Sequence, residues 1–448
     1  MKEMVSFVGL GKLGLPLSTI FAKNGVPIMG IDTNQALVDK LHKSELPFFE
    51  DGLEEHLSLA KDNIEYTTSY AGVVDKTDIS IILVNTQIGD SYSSNVVESV
   101  ITNICNELVK SNKRYHLFIL SSTVMPGEIK NKLIPMIERL TNRKLNTGFG
   151  FSYVPDVVKL GSVIHDFQNP DMVIIGSSND HAGEITKKLY DGIVNDPPVV
   201  EVTLEEAEIA KVTLNAYLVS KISFANFISN LCERVDNVNV DNITNAIGYH
   251  KPIGHQFLKG GLGFGGTCFP RDTKAFIDFS RDVGHHASHI IATDQINNNQ
   301  HRDLYERVIG YDRNCKNVSI SILGLSFKPN TPVIQESPSL KLAERLVKIG
   351  KEVNLYDPLC IDQVKSIFSN FPYTKMKDKP VVNYHESLKE CFQAGELVIV
   401  ALPCDEFKVI SDDWKSFYNQ MILDCWRILN PNDFKMIEYR CLGKKELK

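Results

Sequence analysis

Short apolar runs, each bounded by turn residues, recur along the first half of this chain. They lie at Val5–Val8, in a segment ending at Asp32, and at 79–84, 117–121 and 172–175. Each reads as an apolar strand, and together they predict one continuing parallel sheet. Between the first two, the spacing becomes helical as far as Asn24, where Gly25 closes the stretch. The chain thus opens as strand, helix, strand.

The pattern is repeated later. Val318-Ser319-Ile320-Ser321-Ile322-Leu323-Gly324-Leu325 echoes Val5-Ser6-Phe7-Val8-Gly9-Leu10, and Gly350 precedes Asp357 by the interval that separates Gly25 from Asp32. Between the two patterns, residues 204–235 show apolar positions at helical spacing and contain neither glycine nor proline. A helix of that length, on the order of forty-odd ångströms, would bridge two domains or form a dimer interface. The fold class is therefore α/β: two doubly wound Rossmann-like domains joined by a long central helix in a small all-helical domain. The expected division is 1–200, 201–305 and 306–448.

The turn after the first strand reads Gly9-Leu10-Gly11-Lys12-Leu13-Gly14, with Asp32 at the end of the second strand. This is the dinucleotide fingerprint in its required context. Its glycines allow a tight turn, close approach of a pyrophosphate and packing of helix on strand, while the acid can bond ribose hydroxyls. Asp32 would repel a 2′-phosphate and no arginine follows it, so the expected cofactor is NAD. The later repeat has Ser326-Phe327-Lys328 in place of the glycines and a longer stretch before its helix, so it should bind a different nucleotide or none.

Composition changes this picture little. The 448 residues are 43% hydrophobic and 23% charged, with a net charge of -7, which gives no electrostatic footprint for nucleic acid or an anionic membrane. No apolar run approaches a membrane span, and no secretory leader is evident, so a cytoplasmic enzyme is expected. Nine scattered cysteines without a C-x-x-C pair argue against a disulfide framework and against a zinc site; no metal is expected.

One cysteine stands apart. In Gly263-Phe264-Gly265-Gly266-Thr267-Cys268-Phe269-Pro270-Arg271-Asp272, Pro270 suits the first position of a helix. Cys268 would then lie at or before the helix N-terminus, where unpaired N–H groups favour a thiolate, and Asp272 could come back towards the sulfur. An NAD fold with a poised thiol suits oxidation of an alcohol to an acid. A first hydride transfer gives an aldehyde; the thiolate adds to it, a second transfer yields a thioester, and water opens that. On the central helix, Lys211 and Asn215 stand four residues apart on one side, followed by Lys221 and Asn226. Lys211 could stabilise the oxyanion with Asn215 helping, and Asp272 could accept a proton during hydrolysis.

The chain resembles the UDP-glucose/GDP-mannose dehydrogenases over nearly its whole length. The residues that carry the resemblance are 9–14, Val84-Asn85-Thr86, Ser122-Thr123-Val124-Met125-Pro126-Gly127, Lys211 with Asn215, 263–272, and Leu323-Gly324-Leu325-Ser326-Phe327-Lys328 followed by Glu336-Ser337-Pro338. The resemblance implies oxidation of the C6 alcohol of a nucleotide sugar to a carboxylate, with two NAD reduced per sugar, and a dimer built on the central helix. It implies NAD contacts from Gly9, Leu10, Gly11, Lys12, Leu13, Gly14, Asp32, Val84, Asn85, Thr86, Ser122 and Thr123. Cys268 would be the nucleophile, Asp272 its acid/base neighbour, Lys211 and Asn215 the oxyanion pair, with Thr123 and Asp156 also catalytic. Substrate contacts would come from Asp156, Lys211, Asn215, Phe257, Lys259, Gly260, Gly261, Phe264 and Gly265, and from Phe327 and Lys328 of the C-terminal domain.

The departures bear on substrate far more than on reaction, although Leu160 cannot bond or transfer a proton and so bears on water activation and cofactor contact. Where the family reads Asn-Pro-Glu-Phe-Leu-x-Glu-Gly, this chain has Val154-Pro155-Asp156-Val157-Val158-Lys159-Leu160-Gly161. Usual arginines fall at Pro252 beside Lys251, at Gln335, and at Trp426 with Arg427 one residue late. The expected reaction is UDP-glucose to UDP-glucuronate. A UDP-N-acetylhexosamine or GDP-mannose substrate, a two-electron hydroxyacid dehydrogenase, and a non-catalytic nucleotide-sugar sensor stand as alternatives.

Overall fold

The structure, a computed structural model, describes residues 4–88, 91–315, 318–369, 375–376, 379–380, 382–415 and 420–445. It divides into two compact units, Met1–Leu214 and Asn215–Lys448.

In the first unit, β1 (Val5–Val8), β2 (Ile28–Ile31), β3 (Ile64–Thr67), β4 (Ile79–Ile82), β5 (Leu117–Leu120), β6 (Gly150–Tyr153), β7 (Val173–Ser177) and β8 (Val199–Thr203) form one sheet. The strand order is β8-β7-β6-β5-β4-β1-β2-β3. Every residue of β1, β2, β4, β5 and β6 is buried. That is why the sequence shows them as unbroken apolar runs: both faces are covered, and no position is left for alternation. Two hydroxyls that enter this core pair with one another: the oxygens of Ser6 and Ser80 meet at 2.6 Å across β1 and β4.

The expectation of a parallel sheet holds from β3 through to β6 and fails at the next strand. β7 pairs antiparallel to β6, with Ser152 opposite Ser177, and β8 follows β7 in parallel. A parallel neighbour needs a crossover that carries the chain back along the sheet. Here the connection holds only the six-residue helix Val163–Gln168, about 9 Å long at the usual rise. β7 therefore starts at the end where β6 finishes.

The helix α1 (Gly14–Lys23) follows the first turn, and its residues from Gly14 to Ala22 are buried. The long helix α2 (Leu204–Cys232) contributes residues to both units. It stops three residues short of the apolar pattern, giving way to a turn in which Asn237 takes a left-handed φ of 61°. No helix among the described residues is long and apolar enough to cross a membrane.

The second unit holds the rest of α2, then α3 (Phe269–Asp282) and α4 (Ser288–Cys315), and then a second sheet. Its strands are β9 (Ile320–Leu323), β10 (Val353–Tyr356), β11 (Val382–Tyr384), β12 (Leu397–Val400), β13 (Met421–Asp424) and β14 (Glu438–Cys441), ordered β11-β10-β9-β12-β13-β14. All five pairings are parallel. The helix α5 (Pro338–Lys348) follows the first of these strands.

The internal repeat extends to single hydrogen bonds. Gly9 and Gly324 have φ of 96° and 93°. Their N–H groups donate to Ile31 O and Tyr356 O, each at 2.8 Å. The next N–H, of Leu10 or Leu325, donates to Asp32 Oδ2 or Asp357 Oδ2, again at 2.8 Å in both. The copies then diverge. Asp357 also accepts from Ser326, Leu359 and Cys360 N–H and is 2% exposed, whereas Asp32 takes one further N–H, from Asn34, and stays half-buried.

Candidate functional site: a dinucleotide turn and a cysteine loop

In the first unit, Gly9 has a backbone that L side chains rarely adopt, and a Cβ there would lie 2.2 Å from Leu83 O. A Cβ on Gly14 would lie 1.9 Å from Gly9 O. Both glycines are needed for the turn to exist. Gly11 is different: it is exposed, and a Cβ on it would meet nothing within 4 Å. The protein does not need glycine there, but a pyrophosphate lying against the backbone would. With Asp32 half-buried beside the turn, this open face fits NAD. Lys12 is exposed at the rim, while Leu10 is buried and Leu13 partly buried in the helix packing.

Around the turn, the other expected cofactor residues divide between exposed and structural ones. Ser122 Oγ accepts from Val84 N–H at 2.8 Å and donates to Val84 O at 2.9 Å. Its hydroxyl thus holds the segment after β4 in place. Thr86 is 3% exposed, Thr123 is half-buried, and Asn85 is exposed with Oδ1 accepting from Gln87 N–H at 3.1 Å.

Asp156 and Lys211 come together in the same unit. The Lys211 ammonium donates to the main-chain carbonyl of Asp156. The Asp156 side chain has its Oδ2 buried with no hydrogen-bond partner. Burial pushes the carboxyl up to about 7, with the nearby Lys211 charge pulling the other way. Leu160 packs against the apolar core beneath the sheet. The turn after it is held from elsewhere: Glu50, 5% exposed, accepts from Gly161 N–H at 3.0 Å and Val163 N–H at 2.8 Å. Nothing in the local sequence announces Glu50, because its partners lie more than a hundred residues away.

In the second unit, Cys268 is the N-cap residue of α3, and Pro270 sits at the helix's second position, one residue later than expected. Of the cysteines whose side chains are described, Cys268 is the exposed one; Cys404 is partly exposed and the others are buried. Its sulfur lies 3.5 Å from Thr267 Oγ1. The hydrogen bonds of Asp272 go to other groups. Its N–H donates to Cys268 O at 2.8 Å, while its carboxylate, 1% exposed, accepts from Arg271 Nε and from Asn215 Nδ2, each at 2.7 Å. Asn215, expected as the partner of Lys211, is thereby tied to Asp272. Arg271 was not foreseen; a buried carboxylate needs such a cation, and a neighbouring residue supplies it.

The loop ahead of Cys268 packs face-on against other parts of this unit. Gly266 lies on the Phe327 ring, close enough that a Cβ would come within 2.7 Å of it, and Gly266 N–H donates to Gln335 O at 3.0 Å. Gly265 meets Glu336 O in the same way, and Gly261 lies on the indole of Trp426. Lys328 Nζ stands 5.8 Å from the Phe327 ring centroid. The rings of Phe257 and Phe264 each stand edge-on to Phe269 at 6.3 Å, and Lys259 is exposed.

The departures now have places. Gln335 offers its carbonyl to the loop and leaves its side chain exposed, as Lys251 and Pro252 are. Trp426 donates its ring N–H to Ala401 O at 2.9 Å. Arg427 forms a two-pronged pair with Asp241 at 2.7 and 2.9 Å and also bonds Gly260 O at 2.5 Å. That guanidinium braces the base of the loop.

A glycine turn fitted to NAD, an acid beside it, and a second α/β sheet that repeats the turn define a dinucleotide-binding α/β protein. The chain matches, in order, the NAD-binding domain of the UDP-glucose/GDP-mannose dehydrogenase family over residues 3–194, its central domain over 205–299 and its UDP-binding domain over 321–431. It belongs to that family and is an NAD-dependent nucleotide-sugar 6-dehydrogenase. It is 29% identical over 436 residues to the UDP-glucose 6-dehydrogenase AglM of Haloferax volcanii, covering 96% of this chain and 98% of that one. It is 26% identical over 421 residues to a GDP-mannose 6-dehydrogenase of Pseudomonas putida, covering 91% and 92%. A UDP-glucose dehydrogenase structure from Pyrobaculum islandicum superposes with a TM-score of 0.87 at 26% identity, covering 98% and 97%.

Proposed function

We propose that this enzyme oxidises the C6 alcohol of a UDP-sugar to the carboxylate through a thioester on Cys268, with UDP-glucose to UDP-glucuronate as the reaction. The observation that carries this reading is the exposed thiol at the N-cap of α3, set at the end of a glycine loop that lies on Phe327. NAD, when bound, takes up a hydride, once from the alcohol and once from the thiohemiacetal. The Cys268 thiolate adds to the aldehyde carbon, forming the C–S bond, and the oxygen gains a proton. After the second oxidation the thioester is opened by water, which restores the thiol and leaves the acid.

The other residues serve charge and protons. Lys211 has three donors, one of them placed on Asp156 O, and supports the developing oxyanion with the rest. Asn215 and Arg271 hold the Asp272 carboxylate in one orientation for proton transfer. Thr123 lines the cofactor side. In this reading residues 1–200 hold NAD, 201–305 carry the thiol and the loop, and 306–448 hold the nucleotide.

UDP- and GDP-sugars offered in turn, with NADH counted per molecule consumed, test the proposal. Two NADH per UDP-glucose support it. One NADH per sugar would show a two-electron oxidation with no work for the thiol.

Asp156 supplies the pH dependence. A carboxyl is a base only above its pKa, and burial has lifted this one to about 7. Turnover should therefore rise as pH climbs through about 7, and Asp156→Asn should flatten that rise. An unchanged inflection in the variant would assign the titration to another group.

A homodimer is part of the same proposal. Tyr217, Phe224, Phe227 and Leu231 are 62%, 47%, 52% and 49% exposed along α2, a stripe at helical spacing of the kind a second copy covers. Light scattering should give the mass of two chains or an even multiple; a monomer would refute it. Cysteines that are free in the fold suit the reducing cytoplasm.

A further inference from the structure

Five of the seven residues at 260–266 are glycine. Such a loop has few side chains with which to fix itself and carries a large conformational entropy. No helix or strand includes it. Between Gly261 and Phe264 its peptide groups are instead met by carboxamide side chains from two helices.

Asn226 on α2 accepts from Gly261 N–H at 2.8 Å and donates to Leu262 O at 3.3 Å. Asn297 on α4 accepts from Phe264 N–H at 2.7 Å and donates to Phe264 O at 3.1 Å, the two bonds that a neighbouring strand would make to one residue. Gln300, one turn further on, donates to Gly261 O at 2.9 Å, and its own oxygen accepts from Asn230 Nδ2 at 2.8 Å. Asn226, Asn297 and Gln300 are 0%, 4% and 6% exposed. A carboxamide offers a donor and an acceptor in one fixed plane without charge, so it can stand in for a peptide group.

The structure assigns Asn226, Asn297 and Gln300 as positioning residues: three side-chain amides that replace a missing strand and pre-set the backbone at 261–264 for the sugar nucleotide. This rests on the reading that the loop holds the substrate and delivers Cys268. The glycines leave the backbone bare so that a ligand can lie against it; the amides remove the entropy that binding would otherwise have to overcome. A loop meant only to connect two helices would need neither.

The test uses the full-length enzyme with Asn297→Leu and Gln300→Met, which keep size and remove the bonds. The KM for UDP-glucose should rise about tenfold, the effect of a buried peptide group left unpaired, while the KM for NAD stays within about twofold. Amide hydrogen exchange at 261–266 should quicken, with peptides of the first sheet unchanged. Alkylation of Cys268 by iodoacetamide should change in rate in the absence of any sugar. Unchanged exchange and alkylation would overturn the assignment, and so would an equal rise in both KM values, which marks general loosening. If Asn297→Leu does not fold, Gln300→Met, which removes a single bond from the loop, decides by the same readings. Exchange and alkylation need no turnover, so they stand apart from the reading of Cys268 as nucleophile, which fails separately if Cys268→Ser still makes the acid.

Discussion

Cys268→Ser should produce no sugar acid. The substitution changes one exposed atom at the N-cap of α3 and disturbs no buried contact of the sulfur, so folding and NAD binding should survive it. A serine hydroxyl at that position has a proton bound far more tightly than a thiol and no adjacent base among its recorded contacts, so it cannot form the adduct that carries the second oxidation. Complete oxidation should fall by on the order of a thousandfold or more, as for loss of other covalent nucleophiles. The first oxidation has no formal need of the sulfur, and a trace of aldehyde is the expected product. The measurement is NADH formed per UDP-glucose, with the acid assayed by mass. Two equivalents from the variant would remove the covalent route.

Gly9→Ala and Gly11→Ala should fail in opposite ways. At Gly9 the added methyl would sit 2.2 Å from a backbone carbonyl at a φ of 96°, and neither the atom nor the angle can yield cheaply. The turn must open, and with it the Leu10 bond to Asp32 and the start of α1. A loss of several kcal/mol is expected, roughly the sum of left-handed strain and a backbone clash. Gly11→Ala adds the same methyl into open space. It should leave the melting temperature where it was, or raise it slightly by stiffening the unfolded chain. Its cost should appear in the Kd for NAD, about tenfold or more, because the methyl occupies the approach of the pyrophosphate. Thermal unfolding and NAD titration on both variants separate the two effects. A destabilised Gly11→Ala with intact NAD affinity would mean that the open face serves another purpose.

How far the sequence could be read depended on whether an element's reason lay within itself. β1, β2, β4 and β5 are buried on every residue, so their apolar runs are the strands. β3 and β8 stand at the sheet edges with partly exposed residues, and their mixed composition hides them. β6, though buried, reads Gly-Phe-Ser-Tyr, too short and too mixed to stand out. The direction of β7 is set by a connection, not by its own residues. The site shows the same division. The glycine turn, Asp32 and Cys268 are legible because each is a local device. Glu50 under the 161–163 turn, Asn215 on Asp272, Asn297 on Phe264 and Arg427 on Asp241 are contacts between residues remote in sequence, each with a polar type that suits a surface equally well. The repeat foretold the acid at Asp357 without foretelling that it would be sealed.

That sealed acid has a kinetic consequence. Asp357 has its oxygens committed to four backbone N–H groups and is closed to solvent, so the later copy lacks the half-open acid that Asp32 presents beside the first turn. The proposed route, which consumes two NAD per sugar, would then visit the turn beside Asp32 twice. The first NADH must leave and a fresh NAD must enter while a half-oxidised, reactive aldehyde waits. On that route, a covalent adduct with Cys268 would hold the aldehyde and let the cofactor turn over without the sugar escaping. With one copy's acid open and the other's sealed, the proposed route is sequential, and a sequential route needs a tether.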